Sequence, residues 1–204
     1  MAASDRRYRW LFWTLALVGF SVDQASKYSI FAWLYNGGRG GDHVVIPGAF
    51  NLVARYRPEL IPEDLPARFL RSFSGEHWPY VNHGALFGIG GQTGVGNLLF
   101  TTVSVTAALG IILWTLRSTA ARDLYLCSAL GLILAGAMGN LYDRLLFGGV
   151  RDFMYWYRYI DWPVFNVADV CLVSGASLLV LEALFRGDVP EPQPVAAGAT
   201  AERV

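Results

Sequence analysis

The amino-acid sequence predicts an all-α integral membrane protein with four transmembrane helices. Hydrophobic residues make up 54% of its 204 residues, and 14% are aromatic. The mean hydropathy of +0.37 is too high for an ordinary soluble domain. Four apolar windows reach the roughly 20 residues that a helix needs to cross a hydrocarbon core about 30 Å thick. They cover residues 10–34, 95–116, 124–146 and 164–185.

The first apolar window follows a basic segment, a pattern that also begins secretory signal peptides. Arg6, Arg7 and Arg9 precede WLFWTLALVGF, no small-x-small cleavage site follows, and the segment stays apolar beyond Tyr28. We therefore expect this segment to be retained as the first transmembrane helix.

Arginines near the helix ends predict the orientation of the chain, because loops rich in Lys and Arg remain in the cytoplasm. Besides those at the amino terminus, the arginines on this side are Arg117, Arg122 and Arg186. Both termini are then cytoplasmic, and the loops at residues 35–94 and 147–163 lie outside.

We predict one membrane domain over residues 1–186. Residues 187–204 are rich in proline and alanine and are predicted to be a disordered cytoplasmic tail.

The first outer loop combines strand and turn signals. VVIPGAFNLVARY and YVNHGALFGIG are predicted to form short strands, because turn residues surround their β-branched and aromatic residues. A proline-rich segment separates the two. Within it, EDLPARFLRSF is predicted to form a short amphipathic helix on the membrane surface.

Composition and residue spacing argue against several other kinds of site. The formal net charge is zero, so no nucleic-acid partner is predicted. Cys127 and Cys171 lie within apolar windows, where they are typical of small core residues and not of a disulfide or a metal pair. His43, His77 and His83 lack zinc-ligand spacing. We therefore predict no metal and no cofactor.

Charged residues gather near the predicted outer ends of the helices. They are Asp23 and Lys27 on the first helix, Asp143 and Arg144 at the end of the third, Asp152 after a Gly-Gly turn, and Asp169 in the opening turns of the fourth. A hairpin of two helices returns its ends to the same leaflet, so Asp143, Asp152 and Asp169 are expected at one depth. A charged residue at a helix centre costs about 2.5 to 3.5 kcal/mol, and a functional reason is the default expectation.

Asp23, Lys27 and Asp143 have two interpretations that the sequence leaves open. Asp23 and Lys27 are four residues apart and therefore share a helix face. These two residues and Asp143 are equally well explained as polar contacts that hold helices together or as parts of a functional site.

Asp152 and Asp169 differ from the other aspartates because neither has a basic partner within reach on its own element. Arg151 adjoins Asp152, but adjacent side chains point apart. Two carboxylates at a water-accessible membrane edge fit a dyad that shares one proton, in which one acts as base and the other as acid. Pairing alone does not assign the two roles.

Four sequence blocks resemble those of the signal peptidase II family, the lipoprotein signal peptidases. GNLYDRLLFGGVRDF and FNVADVCLVSGASL look like its two signature blocks, with the patterns GN-x-x-DR, V-x-DF and FN-x-AD. DQASK and VNHGALFG resemble its two earlier blocks. Together the blocks touch the first, third and fourth predicted helices and the first outer loop.

The resemblance implies an intramembrane aspartic endopeptidase that removes the signal peptide from bacterial prolipoproteins by cutting before the diacylglyceryl-modified cysteine. It implies Asp152 and Asp169 as the catalytic residues. Residues implied to position the substrate or brace the dyad are Asp23, Lys27, Asn82, Asn140, Asp143, Arg144 and Asn166. The implied fold has four transmembrane helices, a small extracytoplasmic β-cradle and a short interfacial helix. The implied location is the bacterial inner membrane, with the site at the outer leaflet and membrane lipid as a further partner.

The sequence departs from the family pattern at two places. Leu86 occupies a position where the family usually has alanine, which is expected to crowd a pocket. The first outer loop is longer than typical over residues 57–79. We expect this insert to lie along the membrane surface and cover the site.

The competing class of protein is a small proton-coupled transporter or a non-catalytic membrane scaffold. In either, the same aspartates would relay protons or hold helices together. A transporter favours charges near the membrane midplane and repeated halves, whereas here the charges cluster at one interface without a repeat. The pattern therefore favours the peptidase.

Overall fold

The structure, a computed structural model, describes residues 8–61, 75–84, 95–117 and 123–185. Within these ranges it has four long helices: α1 at Arg9–Trp33, α2 at Val95–Arg117, α3 at Leu124–Phe147 and α4 at Val167–Phe185. Each helix coincides with one of the predicted apolar windows. α4 begins slightly later than predicted, because Phe165 first forms a β-bridge with Met154.

Three of these helices are long and apolar enough to cross a membrane. Their apolar spans are Gly96–Leu116, Leu124–Phe147 and Val167–Phe185. α1 has the necessary length, but the polar residues Asp23, Gln24 and Lys27 lower its hydropathy. The side chains of these three polar residues are buried, so α1 directs them into the protein.

α3 is the central helix of the bundle. Its apolar span is 61% buried, compared with 11% for α2 and 17% for α4. Small residues let the neighbouring helices approach it closely. A Cβ atom on Gly131 would lie 2.8 Å from the Phe12 carbonyl oxygen of α1, and one on Gly175 of α4 would lie 2.7 Å from the Ala129 carbonyl oxygen.

An apolar cluster fills the bundle between the first half of α1, α2 and α3. Its buried members are Phe12, Ala16, Ala108, Cys127, Leu130 and Leu134. Cys127 and Cys171 are both buried, which confirms their interpretation as small core residues. Apolar packing therefore dominates this half of the bundle, where Arg9 of α1 also donates to the carbonyl oxygens of Thr115 and Leu116 of α2.

The strands of the described residues lie in the segments that connect the helices. They are β1 at Gly41–Ile46, β2 at Phe50–Ala54, β3 at Tyr56–Leu60, β4 at His77–Pro79 and β5 at Met154–Trp156. β1, β2 and β5 form an antiparallel sheet in that order, with Asn51 paired to Val44 and Tyr155. β3 and β4 form a separate antiparallel pair. The strands predicted for VVIPGAFNLVARY are confirmed as β1 and β2.

The three-stranded sheet is anchored over the end of α1 and beside the candidate site. Ala54 of β2 and Phe153 pack on Phe31 of α1 in one buried cluster. The Val53 N–H also donates to the Phe153 carbonyl oxygen at 2.9 Å. Because Phe153 directly follows Asp152, this packing fixes the backbone at Asp152.

Several sequence predictions fall outside the described residues. They are the surface helix at residues 63–73, the departure at Leu86, the tail at residues 187–204 and much of the insert at residues 57–79. The second predicted strand segment is described only over residues 80–84. There it forms a single bridge between Asn82 and Val150 rather than a strand.

Candidate active site

The candidate site lies where α3 ends and α4 begins. Gly148 ends α3 in the left-handed conformation, with φ of 72°. The chain then reverses, and Val150 pairs with Asn82 through backbone hydrogen bonds of 2.7 and 2.9 Å. This turn and bridge bring Asp152 within hydrogen-bonding distance of Asn166, which immediately precedes α4.

Asp152 accepts hydrogen bonds from two side-chain amides. Its Oδ1 accepts from Asn166 Nδ2 at 2.6 Å, and its Oδ2 accepts from Asn82 Nδ2 at 3.0 Å. Asn82 is itself oriented, because its Oδ1 accepts from the Gly84 N–H at 2.9 Å. Within the described part of the chain, no Lys or Arg forms an ion pair with Asp152.

Asp169 caps the helix that carries it. Its N–H donates to Asn166 Oδ1, and its Oδ2 accepts from the Asn166 N–H, both at 3.1 Å. This reciprocal pair is a capping box, in which the residue before a helix and the third helical residue satisfy each other's N–H groups. The other oxygen, Oδ1, accepts from Asn140 Nδ2 of α3 at 2.8 Å. The local sequence NVAD therefore sets both the start of α4 and the direction of the Asp169 carboxylate.

Asn166 and Asn140 connect the two aspartates. Asn166 is fully buried, and its Nδ2 lies 2.6 Å from Asp152 Oδ1 and 3.2 Å from Asn140 Oδ1. Asn140 in turn donates to Asp169. The structure thus brings Asp152 and Asp169 into one network of amide hydrogen bonds.

The environment of Asp152 shifts its protonation equilibrium. Burial raises the pKa of the Asp152 carboxyl group to about 7, and the negative charge of Asp169 acts in the same direction. Hydrogen bonds from Asn82 and Asn166 partly oppose this rise, because they stabilise the ionised form. A carboxyl group that titrates near neutral pH can either donate or accept a proton.

Four fully buried charged residues lie beside this amide network. Asp23, Lys27, Asp143 and Arg151, which we call the buried ion cluster, each have a relative exposure of 0%. Lys27 Nζ lies 2.9 Å from Asp23 Oδ2 and 3.4 Å from Asp143 Oδ2. Arg151 donates to Asp143 through Nε at 3.2 Å and Nη2 at 2.9 Å. Two positive and two negative charges balance, as the burial of charge requires.

The buried ion cluster supports the amide network and the start of α4. Lys27 Nζ donates to Asn140 Oδ1 at 3.3 Å, and Asp23 Oδ1 accepts from the Ala168 N–H at 2.8 Å. A Cβ atom on Gly139 would lie 2.6 Å from Asp23 Oδ2. Glycine is therefore needed at residue 139 for α1 and α3 to approach this closely.

Neither Gln24 nor Arg151 is predicted from the sequence as a site residue. The Arg151 guanidinium carbon lies 4.2 Å from the ring centroids of both Tyr28 and Phe147, and its Nη2 donates to Gln24 Oε1 at 3.1 Å. The prediction that Arg151 points away from Asp152 is confirmed. A sequence signal for Arg151 exists. Asp143 has no cation three or four residues away on its own helix, so a buried Asp143 requires a cationic partner from another segment.

Arg144 is placed next to the site but makes no polar contact there. Its guanidinium carbon lies 5.3 Å from the centroid of the Phe100 ring of α2. Its Nε is buried without a hydrogen-bond partner, and it forms no ion pair with another described residue. The guanidinium group is therefore a donor that the described protein groups leave unused.

The described residues do not include a group of three or more His, Cys, Asp or Glu side chains placed to hold a metal ion. The oxygens of Asp152 and Asp169 instead accept hydrogen bonds from amide N–H groups. The absence of a metal from the reaction stays a prediction.

Comparison with known proteins identifies the family. The family profile described as signal peptidase (SPase) II matches residues 72–185, more than half of the chain. The chain belongs to the signal peptidase II family. Membership makes it a peptidase and hence a hydrolase, and its apolar helices are those of a bacterial membrane protein. Asp23 and Lys27 precede the matched residues.

Relatives of this signal peptidase II family member extend over most of the chain. The lipoprotein signal peptidase of Rhodopirellula baltica is 35% identical over 193 residues, which cover 88% of this chain and 74% of the relative. The lipoprotein signal peptidase of Ralstonia nicotianae is 34% identical over 177 residues, which cover 84% of this chain and 83% of the relative. Both matches are longer than the segment that the family profile matches.

Two solved structures share the fold of this signal peptidase II family member. A bacterial membrane enzyme solved by the in meso method at 2.3 Å has a TM-score of 0.63 at 24% identity, covering 88% of this chain and 93% of that chain. A second one, solved at 1.9 Å, has a TM-score of 0.62 at 25% identity, covering 86% and 92%. These likenesses support the arrangement of the helices and the sheet.

Proposed function

We propose that this protein removes the signal peptide from bacterial prolipoproteins by hydrolysing the peptide bond before a diacylglyceryl-modified cysteine. Its membership of the signal peptidase II family and the names of its relatives support this substrate. One observation carries the proposed mechanism: Asp152 and Asp169 both hydrogen-bond to Asn166. Two carboxyl groups placed in this way can act as acid and base on one water molecule.

The two aspartates form a dyad that holds one proton at neutral pH. The ionised carboxylate accepts a proton from water as the water oxygen attacks the carbonyl carbon of the scissile bond. The protonated carboxyl donates a hydrogen bond to the carbonyl oxygen, where negative charge develops. When the C–N bond breaks, the amine of the modified cysteine leaves with a proton from the dyad, and the signal peptide leaves with a new carboxylate. The dyad titrates as one unit, so neither aspartate is assigned a fixed role.

Three asparagines tune and orient the dyad. Asn82, Asn140 and Asn166 donate to its carboxylate oxygens without adding charge. Their hydrogen bonds favour the ionised form, whereas burial and the neighbouring negative charge favour the protonated form. At Asp152, burial and the charge of Asp169 outweigh the hydrogen bonds from Asn82 and Asn166, so the pKa is raised to about 7. Neutral partners thus allow the dyad to keep a proton that a bound cation would displace.

The buried ion cluster acts as a rigid support for the dyad. Lys27 holds Asn140, and Asp23 holds the first turn of α4 through the Ala168 N–H. Asp143 holds Arg151 by its backbone N–H as well as its side chain, at 2.8 and 2.9 Å. Because Arg151 precedes Asp152, this contact positions the loop that carries one member of the dyad.

Arg144 orients the substrate. The guanidinium group is a fork of N–H donors that matches carbonyl and carboxylate oxygens. In the described residues its Nε is buried and without a partner, which is costly unless another molecule supplies an acceptor. A carbonyl oxygen of the bound substrate is the acceptor that we propose.

All four helices cross the bacterial inner membrane in the proposed arrangement. α1 has 25 residues and spans about 37 Å at about 1.5 Å per residue, which exceeds a hydrocarbon core of about 30 Å. Both termini are cytoplasmic, and the sheet forms a cradle at the outer face. The acyl chains of the modified cysteine remain in the outer leaflet, so lipid anchoring delivers the scissile bond to the dyad.

Cleavage of a purified, diacylglyceryl-modified prolipoprotein in detergent tests this function. The wild-type protein should cut the lipidated substrate and not an unlipidated control, and Asp152→Asn and Asp169→Asn should be inactive but folded. Asp161→Asn is the matched control, because Asp161 is exposed and accepts from Tyr155 away from the dyad. Near-normal activity in either dyad variant would rule out the two-aspartate mechanism. A folded wild-type protein that cuts neither substrate would favour the transporter or scaffold.

A further inference from the structure

A small pocket opens beside Asp152 on the side formed by the sheet and the loops. Its volume is about 270 Å³, and its lining includes Val53, Arg55, Tyr80, Asp152 and Val164. Val53 belongs to β2, and the other four residues lie in loops. None of the five belongs to a helix, so the pocket lies beyond the helix ends and outside the membrane-spanning part of the protein.

We propose that this pocket binds the side chain of the residue that follows the lipid-modified cysteine, and that Arg55 selects an acidic side chain there. This assignment rests on the proposed function. The apolar part of a signal peptide lies among lipid and helices. The chain after the scissile bond must therefore leave in the opposite direction, toward the sheet and the loops. Asp152 belongs both to the dyad and to the pocket wall, so the pocket directly adjoins the scissile bond.

The size and lining of the pocket suit one side chain. Its volume of about 270 Å³ is below the roughly 300 to 1,000 Å³ of pockets that hold drug-sized ligands. Val53 and Val164 supply apolar walls, whereas Arg55 and Tyr80 supply polar groups. A short side chain that ends in an oxygen acceptor would place its stem on the valines and its oxygens toward the guanidinium group.

Arg55 is held at the pocket by neighbouring backbone groups. Its Nη1 donates to the carbonyl oxygens of Gly41 at 3.1 Å and Ala54 at 3.0 Å. Because both carbonyl groups belong to the sheet, the guanidinium group is oriented before a substrate arrives. Arginine held in this way is suited to planar, two-point recognition of a carboxylate.

The ion pair of Arg55 leaves it able to bind a second carboxylate. Arg55 Nη1 lies 2.6 Å from Asp42 Oδ1, and Arg55 Nη2 donates to Asp42 Oδ2 at 2.9 Å, so Asp42 occupies both ends of the guanidinium fork. The two side chains are 52% and 47% exposed. Because the pair is exposed to water, which screens its charges, a substrate carboxylate can compete with Asp42 for the guanidinium group. Asp152 contributes negative charge to the same pocket, and Arg55 is the cation in its lining that can offset it. Selection of an acidic residue therefore depends on Arg55.

Three lipidated substrates that differ only in the residue after the cysteine test this assignment. With Asp, Asn or Lys at that position, the wild-type kcat/KM should favour Asp over Lys roughly tenfold, as expected for one charge-assisted hydrogen bond. Arg55→Met should bring the ratio close to one, and Arg55→Lys should keep part of it. Asp42→Asn should raise the ratio by removing the competing carboxylate. Arg158→Met is the matched control, because exposed Arg158 stacks on Tyr159 outside the pocket.

Two outcomes would overturn the pocket assignment alone. One is an Asp-to-Lys ratio in Arg55→Met that equals that of the wild type. The other is an equal loss of kcat/KM on all three substrates, which would show that Arg55 only supports the sheet. Failure of the wild type to cut any lipidated substrate would instead contradict the proposed function, and the pocket assignment would fall with it.

Discussion

The site contains two pairs of aspartates in opposite surroundings. Asp23 and Asp143 are fully buried and contact the cations of the buried ion cluster. Asp152 and Asp169 accept hydrogen bonds from neutral asparagine amides. A carboxylate that holds a buried cation cannot be neutralised without leaving that cation unpaired, which is costly. The partner, and not the residue type, thus decides which aspartate can exchange a proton during a reaction.

Neutral substitution of the dyad should produce the largest functional effect of any change to these four aspartates. In the proposed mechanism Asp152→Asn and Asp169→Asn each remove a group that takes up and releases a proton, so kcat should fall on the order of 10² to 10⁴-fold or more. The free energy of unfolding should not fall, because the neighbouring amides can rotate to bond an asparagine. Turnover of a lipidated substrate and thermal unfolding in the same detergent measure the two quantities. If a dyad variant lost stability in proportion to activity, the dyad aspartates would be structural residues like Asp23 and Asp143, and the contrast between the two pairs would be wrong.

Neutral substitution within the buried ion cluster should produce the largest loss of stability. Asp143→Asn leaves Arg151 and Lys27 with less compensating charge, and breaking a buried pair costs about 3 to 5 kcal/mol. The measurement is the denaturant midpoint of unfolding. The double variant Asp143→Asn with Arg151→Met should recover part of this loss, since the uncompensated guanidinium group is gone. If Asp143→Asn were as stable as the wild type, the cluster would not act as a support.

A single methyl group at Gly139 should disturb the cluster by steric crowding. In Gly139→Ala the new Cβ atom would lie 2.6 Å from Asp23 Oδ2, so α1 and α3 must move apart. Overpacking of this kind costs typically about 1 to 3 kcal/mol. Gly110→Ala in α2 is the matched control, because nothing lies within 4 Å of its Cβ position. Thermal unfolding should show a loss for Gly139→Ala and none for Gly110→Ala.

The stability of the protein should depend on pH through Asp152. The pKa of this carboxyl is raised from 3.8 to about 7 on folding, so the folded state binds more protons than the unfolded state between these values. Its contribution to stability is present below the unfolded pKa and is lost as the pH rises toward about 7. In Asp152→Asn, the free energy of unfolding should lack this pH dependence. The range to measure is pH 4 to 7, which lies between the unfolded and folded pKa values of Asp152. If the free energy of unfolding changed equally with pH in the variant and the wild type, the raised pKa of Asp152 would be contradicted.

The smallest effect is expected from an amide that tunes the dyad. The proposed mechanism requires one proton on the dyad, so kcat/KM should decline as the pH rises above about 7. Asn82→Ala removes a hydrogen bond that favours ionised Asp152, so this decline should move to higher pH. The pH profile of cleavage measures the shift, and Asn51→Ala, on β2 and bonded to Tyr157, is a control that should leave it unchanged. A shift to lower pH would contradict the assigned role of Asn82.

The helices and the location of the site follow from local sequence. Apolar length places α2, α3 and α4. Hairpin geometry predicts Asp152 and Asp169 at one depth, and in the structure both hydrogen-bond to Asn166. α1 is the instructive case, because its buried polar residues lower its hydropathy although it occupies a predicted window. The polar residues of α1 are explained only by their partners on α3 and α4.

The contacts that organise the site depend on packing between distant segments. Arg151 binds Asp143 and Gln24, and β5 pairs with β2, more than a hundred residues earlier in the chain. β5 was not predicted, since its aromatic residues are equally typical of a membrane interface. The same holds for the pocket at Arg55, which exists only because the end of β2 meets three loops. Long-range pairing of this kind leaves no periodic signal in a single sequence.

Asp23 and Lys27 have a consequence for the order in which the chain is made. The Ala168 N–H that bonds Asp23 is synthesised long after α1 has left the ribosome. Lys27, one turn along the same helix, compensates Asp23 in the meantime, at 2.9 Å. In the four-helix arrangement proposed above, nascent α1 therefore enters the bilayer with no net charge from this pair, which reduces an insertion cost of about 2.5 to 3.5 kcal/mol per isolated charge. Membrane integration of α1 need not wait for α4, whose arrival adds the last hydrogen bond to a carboxylate already in place.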